Sequence, residues 1–391
     1  MKRYLISLVK YLTPVYFTYF WIGTLFANLL KFIVLPEDNL ILFVSFGGRK
    51  YDDSPRAIYE EMLDDHRFDG YKLVWAFNDP AGFDLPRGEK IKTDSFEYYL
   101  TALKARSWVT NTTVERGLHF KGRHTFYFNT WHGTPIKKLG SDIASSSKSF
   151  STKGEWGVDV MTAQSTYEAD IFSKVFGLQR DKFLICGLPR NDSLASATDE
   201  KQGLMQQKIG LPEGKKVILY APTYREYERD KNLNCVMDAP IDFKKWQEVL
   251  GDGYVVLLRA HYEVATVLTA KGAEGFVYDV SAYPVLNELM IASDVLISDY
   301  SSIYFDYSIL DKPMICYAYD YAEYIEKRGL YFDIREELLG GSVSEEELLD
   351  LVKLVPDCES AERAAKFRKK YLNSYGNATH LSVGRIYEEI H

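Results

Sequence analysis

Cysteine is scarce in this chain and shows no pattern typical of a zinc site or a disulfide-stabilised fold. The four cysteines, Cys186, Cys235, Cys316 and Cys358, lie far apart among 391 residues, and no two of them form a CxxC pair. This spacing argues against a disulfide framework and against structural zinc. It fits a reducing compartment such as the cytosol.

Positive charge is also in short supply, since 47 Lys and Arg residues face 55 Asp and Glu residues and the net charge is −8. A general nucleic-acid binder needs a basic face that displaces counterions from phosphates, so we expect no nucleic-acid partner. Any anionic ligand must then be held by a local cluster of cations or backbone amides.

Several familiar catalytic motifs are missing as well. The chain has no GxxxxGK[ST], no GxGxxG after its first strand, no HExxH and no GxSxG. P-loop, dinucleotide-binding, zinc-protease and α/β-hydrolase functions therefore lose support. No DxD pair follows the strands discussed below, and we expect neither a cofactor nor a bound metal.

One long apolar run is present, and it lies at the N-terminus. Tyr11 to Leu30 is free of charge and long enough to cross a bilayer. The run is rich in aromatic residues, contains Pro14 and lacks a small-residue cleavage site, which argues against a cleaved signal peptide. We predict that residues 1–34 attach the protein to a membrane surface without crossing it, with a full crossing or a buried helix as alternatives.

Short apolar runs alternate with polar, helix-compatible stretches through the rest of the chain. Runs at 40–46, 71–77, 107–111 and 124–133 form one series, and runs at 215–225, 254–261, 275–280, 293–302 and 312–320 form a second. This alternation predicts an α/β protein with two Rossmann-like parallel-sheet domains, at 35–195 and 196–391, whose strand ends face a central cleft. The polar segment 195–208 would connect them, and the last helices would pack back on the N-terminal domain.

A histidine follows the first series of strands in "NTWHGTP", at the kind of strand end where ligands bind in open α/β sheets. His132 can exchange a proton near neutral pH, Gly133 lets backbone approach a ligand, and Thr134 adds a hydroxyl. The alternative is a capping loop with a structural histidine. Lys137 and Lys138 come next, either as a phosphate-attracting edge or as a solvated turn.

Cationic and hydroxyl side chains end the strands of the second series. Arg259 and His261 project to the same side in "LLRAHYE", an arrangement that suits a diphosphate, although Arg259 can equally pair with a carboxylate. Ser301 and Ser302 follow a strand in "SDVLISDYSS" and start a helix, where they bind an anion or act as ordinary N-caps. Further candidate ligand contacts are Arg190 in "GLPRND", Thr223 and Arg225 in "YAPTYRE", and Asp306 one helical turn after the two serines.

Five of these motifs, taken in order, resemble the CDP-glycerol glycerophosphotransferases of teichoic-acid synthesis. They are "NTWHGTPIKKLG", "GLPRNDSL", "ILYAPTYRE", "LLRAHY" and "SDVLISDYSSIYFDYSILDKPMICYAYDYAEY", and the resemblance runs from about Leu40 to about Tyr375. It implies a GT-B-like fold and a peripheral enzyme on the cytoplasmic face of the cell membrane. The implied reaction transfers glycerol phosphate from CDP-glycerol to a hydroxyl of a lipid-linked (undecaprenyl-diphosphate) saccharide and releases CMP.

The same resemblance implies roles for individual residues. His132 corresponds to the catalytic base, and His261 to a second essential histidine near the diphosphate. Ser301, Ser302 and Asp306 correspond to the donor-binding helix start, and Arg259, Thr223 and Arg225 to other parts of the donor pocket. The short N-terminal segment is more typical of a primase or short-chain transferase than of a polymerase. Alternatives are a ribitol-phosphate transferase, a GT-B glycosyltransferase that uses a nucleotide sugar, and a membrane scaffold without turnover.

Overall fold

The computed structural model describes residues 13–143, 157–223, 225–229, 235–236, 240–260, 272–355 and 358–391. They divide into two compact units. The first comprises the described residues within Met1–His132, Ser146–Asp192 and Asn373–His391, and the second those within Gly133–Ser145 and Ser193–Leu372. The chain therefore leaves the first unit after His132. It belongs to this unit again in the described residues up to Asp192, and once more in residues 373–391.

Helices and strands alternate through both halves of the chain, as the sequence predicts. The elements of the N-terminal half are α1 (Thr13–Leu30), β1 (Glu37–Val44), α2 (Asp53–Asp64), β2 (Lys72–Phe77), β3 (Glu89–Lys92), α3 (Phe96–Lys104), β4 (Ala105–Thr110), β5 (Phe126–Asn129), β6 (Val160–Ala163), α4 (Thr166–Phe176) and β7 (Phe183–Ile185). They are followed by α5 (Asp192–Ala195), α6 (Asp199–Ile209), β8 (Lys216–Tyr220), β9 (Arg225–Arg229), β10 (Cys235–Val236), α7 (Phe243–Leu250), β11 (Tyr254–Leu258), β12 (Val277–Asp279), α8 (Leu286–Ala292), β13 (Val295–Ser298), α9 (Ile303–Tyr307), β14 (Met314–Tyr317), α10 (Tyr321–Lys327), α11 (Ile334–Glu337), β15 (Leu339–Gly341), α12 (Glu345–Leu354), α13 (Cys358–Tyr371) and α14 (Ala378–Ile390).

The first unit is built on a parallel sheet with the strand order β3-β2-β1-β4-β5-β6-β7 in the described residues. Ile41 in the central strand β1 pairs with Leu73 on one side and with Ser107 on the other. The last five residues of β1 are buried, as expected for a strand covered on both faces. Helix α14 contributes Val383 and Ile386 to the same apolar core, so the C-terminal helix belongs to this unit.

The second unit repeats this plan with the order β12-β11-β8-β13-β14-β15, and all of its described pairings are parallel. Leu219 of the central strand β8 pairs with Leu257 of β11 and with Leu296 of β13. Trp246 of α7 and Leu348 of α12 are fully buried against this sheet. A separate antiparallel pair, β9 and β10, lies outside it.

Both sheets reverse their strand order next to the first strand, between β1 and β4 in one unit and between β8 and β13 in the other. Ligands of doubly wound sheets bind beyond the carboxyl ends of the strands at this switch point. The carboxyl edge of each sheet, at its switch point, is therefore a candidate binding site.

Helix α1 lies on the first unit through one face only. The hydroxyl of Tyr19 donates to the carbonyl of Arg116 at 3.0 Å, and the amide of Asn28 donates to the carbonyl of His119 at 2.7 Å. The opposite face and the residues after it expose large apolar side chains: Trp21, Ile22, Leu25, Phe26, Leu29, Phe32, Ile33 and Leu35. Within the described ranges no helix is both long and apolar enough to span a membrane.

Candidate active site

His132 lies three residues after the end of β5, at the carboxyl edge of the first sheet. Its ring stacks on Trp131 with 4.3 Å between ring centroids, and Phe46 approaches it at 5.9 Å. Trp131 adopts a left-handed backbone conformation with φ of 48°, which is uncommon for a residue with a bulky side chain. The turn that presents His132 is thus held in an unusual conformation by its surroundings.

The hydrogen bond of His132 fixes its tautomer. Nδ1 lies 2.8 Å from the carbonyl oxygen of Asn111, and because a carbonyl can only accept, Nδ1 must carry the proton. In the neutral ring Nε2 then holds a free lone pair and can accept a proton. This is the arrangement that a general base requires.

Several charges act on the pKa of His132. Burial of the ring lowers this pKa from its ordinary value, while the hydrogen bond to Asn111 and the carboxylate of Asp53 oppose the change. Arg190 and Arg49 lie close enough to add to the lowering. The net effect favours the neutral, proton-accepting form at neutral pH.

Asn111 holds the loop after β1 beside His132, and the sequence did not identify it as a site residue. Its side-chain oxygen accepts from the backbone amide of Phe46 at 2.8 Å, and it is fully buried. Its side-chain nitrogen is also buried and has no hydrogen-bond partner within the described part of the chain. A signal was present, since this polar residue ends the apolar run "SWVTN" at 107–111.

Arg190, a predicted ligand contact, is committed to an ion pair in the first unit. Its guanidinium lies 2.7 Å from the carboxylate of Asp53, and both side chains are largely buried. Asp53 has a left-handed φ of 67° and starts α2. This pair ties the "GLPRND" turn to the start of α2, close to His132.

The residues that follow His132 belong to the second unit. The backbone amide of Lys138 donates to the carbonyl of Gly329 at 3.1 Å, and the amide of Tyr331 donates to the carbonyl of Ile136 at 2.8 Å. Gly133 has a φ of 150°, and Thr134 is fully buried. The backbone of the "TPIKKLG" segment is therefore hydrogen-bonded to residues 329–331, which the sequence did not predict. We call this segment the strap.

Arg225 lies at the switch point of the second sheet, among carboxylates rather than in the open. Its guanidinium donates to Asp299 at 2.9 Å and to both oxygens of Asp320 at 2.6 and 2.9 Å. The aromatic rings of Tyr300 and Tyr324 stack on each other and lie about 5 Å from the guanidinium. Burial alone would lower the pKa of Arg225, but the two carboxylates outweigh it and raise this pKa, so the residue stays charged.

This geometry gives Arg225 a positioning role. It joins three loops, after β8, β13 and β14, and the backbone amide of Thr223 adds a bond to Asp299 at 2.9 Å. Asp299 begins the "DYSS" loop that carries Ser301 and Ser302, so the serines are held through Asp299. The sequence does not predict Asp299 and Asp320 as the partners of Arg225.

The other predicted residues of the second unit are placed as follows. Ser301 and Ser302 are partly exposed and precede the short helix α9, and the amide of Ile303 donates to the Ser301 hydroxyl at 3.3 Å. Asp306 is buried. Arg259 donates to the carbonyls of Val280, Ser281 and Tyr283 at 2.6 to 2.7 Å, so it braces the loop after β12. His261 lies outside the described residues.

No group of three or more metal-ligating side chains is close enough together to hold an ion in the described ranges.

Comparison with known proteins places the chain among transferases of one kind. A family model described as "CDP-Glycerol:Poly(glycerophosphate) glycerophosphotransferase" matches residues 26–391. The teichoic acid poly(glycerol phosphate) polymerase of Staphylococcus epidermidis is 37% identical over 78% of this chain and 44% of that protein. The teichoic acid glycerol-phosphate transferase of Staphylococcus aureus is 34% identical over 86% of this chain and 90% of that protein.

Solved structures agree with the family match. A variant of the wall teichoic acid polymerase TagF soaked with CDPG superposes with a TM-score of 0.82 at 32% identity, over 91% of this chain and 90% of that one. The chain thus spans less than half of the S. epidermidis polymerase but most of the S. aureus transferase. The chain belongs to the CDP-glycerol:poly(glycerophosphate) glycerophosphotransferase family.

Proposed function

We propose that the protein transfers glycerol phosphate from CDP-glycerol to a hydroxyl of a lipid-linked saccharide acceptor and releases CMP. The observation that carries this proposal is His132, whose Nδ1 is committed to the Asn111 carbonyl and whose Nε2 is left to accept a proton. The family match supports the reaction class, and the solved relative soaked with CDPG supports the donor. We propose that it adds one or a few units, as a primase or short-chain transferase does.

The proposed reaction couples a proton transfer to a phosphoryl transfer. The acceptor hydroxyl gives its proton to Nε2 of His132 as its oxygen forms a bond to the phosphorus that carries glycerol. The bond from this phosphorus to the oxygen of CMP breaks in line, and CMP leaves with the electron pair. Backbone amides and hydroxyls at the phosphoryl oxygens would stabilise the charge that develops there.

We assign the donor nucleotide to the second unit, at the switch point between β8 and β13. Ser301 and Ser302 stand at this edge with partly exposed hydroxyls. Arg225 supports this loop through its ion pair with Asp299 at 2.9 Å. His261 is proposed as a further donor contact on the family resemblance alone.

Incubation of the purified chain with CDP-glycerol and a lipid-linked disaccharide tests the proposed function. We expect release of CMP and a product heavier by one or a few glycerol phosphate units. Parallel reactions with CDP-ribitol and with UDP-sugars separate the polyol and glycosyltransferase alternatives. Release of UDP, or no CMP release with any acceptor, would contradict the proposal.

We further propose that α1 anchors the protein peripherally at the cytoplasmic face of the cell membrane. One face of α1 is hydrogen-bonded to the loop at 116–121. On the other face, Trp21 and Phe26 are more than half exposed. Such a contiguous apolar surface is costly in water and suits the interface of a bilayer. The exposed stripe therefore supports the predicted attachment without a crossing.

Replacing Ile22 and Phe26 together by serine is expected to weaken binding to anionic phospholipid vesicles by roughly tenfold or more, because apolar area that enters the interface is lost. Vesicle sedimentation measures this binding, and turnover on a soluble acceptor should persist. Leu204, an exposed leucine of α6, gives the matched control Leu204→Ser. Equal binding by the double variant and the wild type would refute anchoring through this face.

A further inference from the structure

The loop after β1, residues Phe46–Lys50, brings its side chains to the same edge of the first sheet as His132. Phe46, Gly47 and Gly48 all have left-handed φ values, of 47°, 63° and 87°, so the chain folds sharply back. A Cβ at Gly48 would lie 2.5 Å from Thr93, which excludes any larger residue there. We call these five residues the β1 loop.

Side chains of the neighbouring strand end hold the β1 loop in place. Asn111 accepts from the amide of Phe46 at 2.8 Å, and the hydroxyl of Thr112 accepts from the amide of Gly47 at 3.2 Å. Arg116 donates to the carbonyl of Gly47 at 3.1 Å. Asn111 also binds His132 through its carbonyl, so the loop and the histidine share one support.

The β1 loop carries two cations, Arg49 close to His132 and Lys50 close to Phe46. Arg49 is exposed and lies close enough that its charge lowers the pKa of His132. The ammonium of Lys50 lies 5.4 Å from the ring centroid of Phe46, whose ring is next to His132. Neither cation has a carboxylate within 4.0 Å in the part of the chain that the structure describes.

Two other cations near the β1 loop form ion pairs. Arg116 pairs with Asp94 at 2.8 Å, and Arg190 pairs with Asp53 at 2.7 Å. Burial raises the pKa of Asp52, and the charge of Lys50 opposes this rise without closing an ion pair. Arg49 and Lys50 are thus two adjacent cations that form no ion pair within the described residues, in a chain of net charge −8.

We propose that Arg49 and Lys50 of the β1 loop bind an anionic phosphate of the acceptor, next to the hydroxyl that His132 deprotonates. This inference rests on the proposed function and names the acceptor class as one that carries a phosphate near its reactive hydroxyl. An arginine fork and a lysine ammonium are the usual side chains for such a group. The phosphate belongs either to a glycerol phosphate unit already on the acceptor or to the diphosphate of its lipid carrier.

Steady-state kinetics with three acceptors test the inference. The first is a disaccharide that bears one glycerol phosphate unit, the second is its neutral methyl phosphotriester, and the third is the disaccharide diphosphate without glycerol phosphate. For the double variant Arg49→Gln, Lys50→Gln we expect the KM of an anionic acceptor to rise roughly tenfold or more, because two charge-assisted contacts are lost. The KM of the neutral triester and of CDP-glycerol should stay within about twofold of the wild-type values.

The choice of acceptor identifies the source of the phosphate. A rise in KM confined to the first acceptor assigns the site to the glycerol phosphate unit, and a rise confined to the third assigns it to the diphosphate. Arg49→Lys keeps the charge but loses the fork, so its KM should lie between those of the wild type and the double variant. Lys369→Gln, at an exposed cation of the second unit, is the matched control. An unchanged KM for both anionic acceptors, or an equal rise for the neutral triester, would overturn the inference.

A second measurement separates this inference from the proposed function. If the wild type releases no CMP with any acceptor, the proposed function fails, and binding of the glycerol phosphate acceptor is then followed by titration calorimetry. Weaker binding to the double variant than to the wild type would still support a phosphate site in the β1 loop. Equal binding, or none to either protein, would refute it.

Discussion

His132→Ala is expected to lower kcat for CMP release from CDP-glycerol by about 10²–10⁴-fold, with little change in KM. The substitution removes the Nε2 lone pair that we propose accepts the proton of the acceptor hydroxyl, while the loops around it are held by Asn111. A loss confined to kcat is the mark of a group that acts in the transition state. Stopped-time measurement of CMP release at saturating substrates gives both constants.

The pH dependence of the wild type follows from the same residue. Burial lowers the pKa of His132 below its ordinary value of 6.5, so the neutral base is present at pH 7 and is lost only as the pH falls through the lowered pKa. We therefore expect kcat/KM to be flat near neutrality and its acid limb to lie below pH 6.5. His66→Ala, at an exposed histidine that contacts Asp69, is the control and should leave the profile unchanged. Near-normal turnover by His132→Ala would remove the histidine from the mechanism.

Arg225→Ala is expected to destabilise the second unit by about 3–5 kcal/mol, because it leaves two carboxylates enclosed without their cation. Asp299 and Asp320 both bond to the guanidinium, whose side chain is 3% exposed. The two units need not unfold together, so a single melting temperature would be ambiguous. Hydrogen exchange of the amides in β13 and β14 reports the second unit directly.

A surface ion pair provides the contrast. Arg363 pairs with Glu359 one turn away on α13, where both side chains are substantially exposed, and Arg363→Ala should cost no more than about 0.5 kcal/mol. Exchange rates in β13 and β14 of Arg225→Ala that match the wild type would show that Arg225 is dispensable for this unit.

Asp299→Asn is expected to weaken the binding of the donor, because Asp299 holds the loop of Ser301 and Ser302.

Local patterns determined the elements that a single stretch of sequence can specify. Runs such as "LILFVSF" and "KKVILY" became buried strands β1 and β8, because a parallel strand covered on both faces must be apolar along its length. Strand β3, with the sequence EKIK, was not predicted, because it lies at the sheet edge and only Ile91 is buried. The position of His132 after β5 was also read from the motif.

Tertiary structure decided what surrounds each candidate residue. In the sequence, Arg190, Arg225 and Arg259 are all cations at a strand end or turn. In the structure, Arg190 pairs with Asp53, and Arg225 is enclosed by two aspartates. Arg259 instead donates to backbone carbonyls. No sequence pattern predicts these partners, because they come from distant positions in the chain. The sequence does not predict Arg49 and Lys50 as site residues, because only the folded unit shows that they form no ion pair among the described residues.

The sequence by itself thus determined the α/β class, the family motifs and His132, since these depend on local periodicity and on residue type. The fold decided the strand order, the tautomer of His132 and the roles of the cations. These depend on which side chains the sheets bring together, because hydrogen bonds and ion pairs form between neighbours in space. The strap that follows His132 shows the difference. The sequence predicts Lys137 and Lys138 as a phosphate-attracting edge or a solvated turn, whereas the fold ties their backbone to residues 329–331.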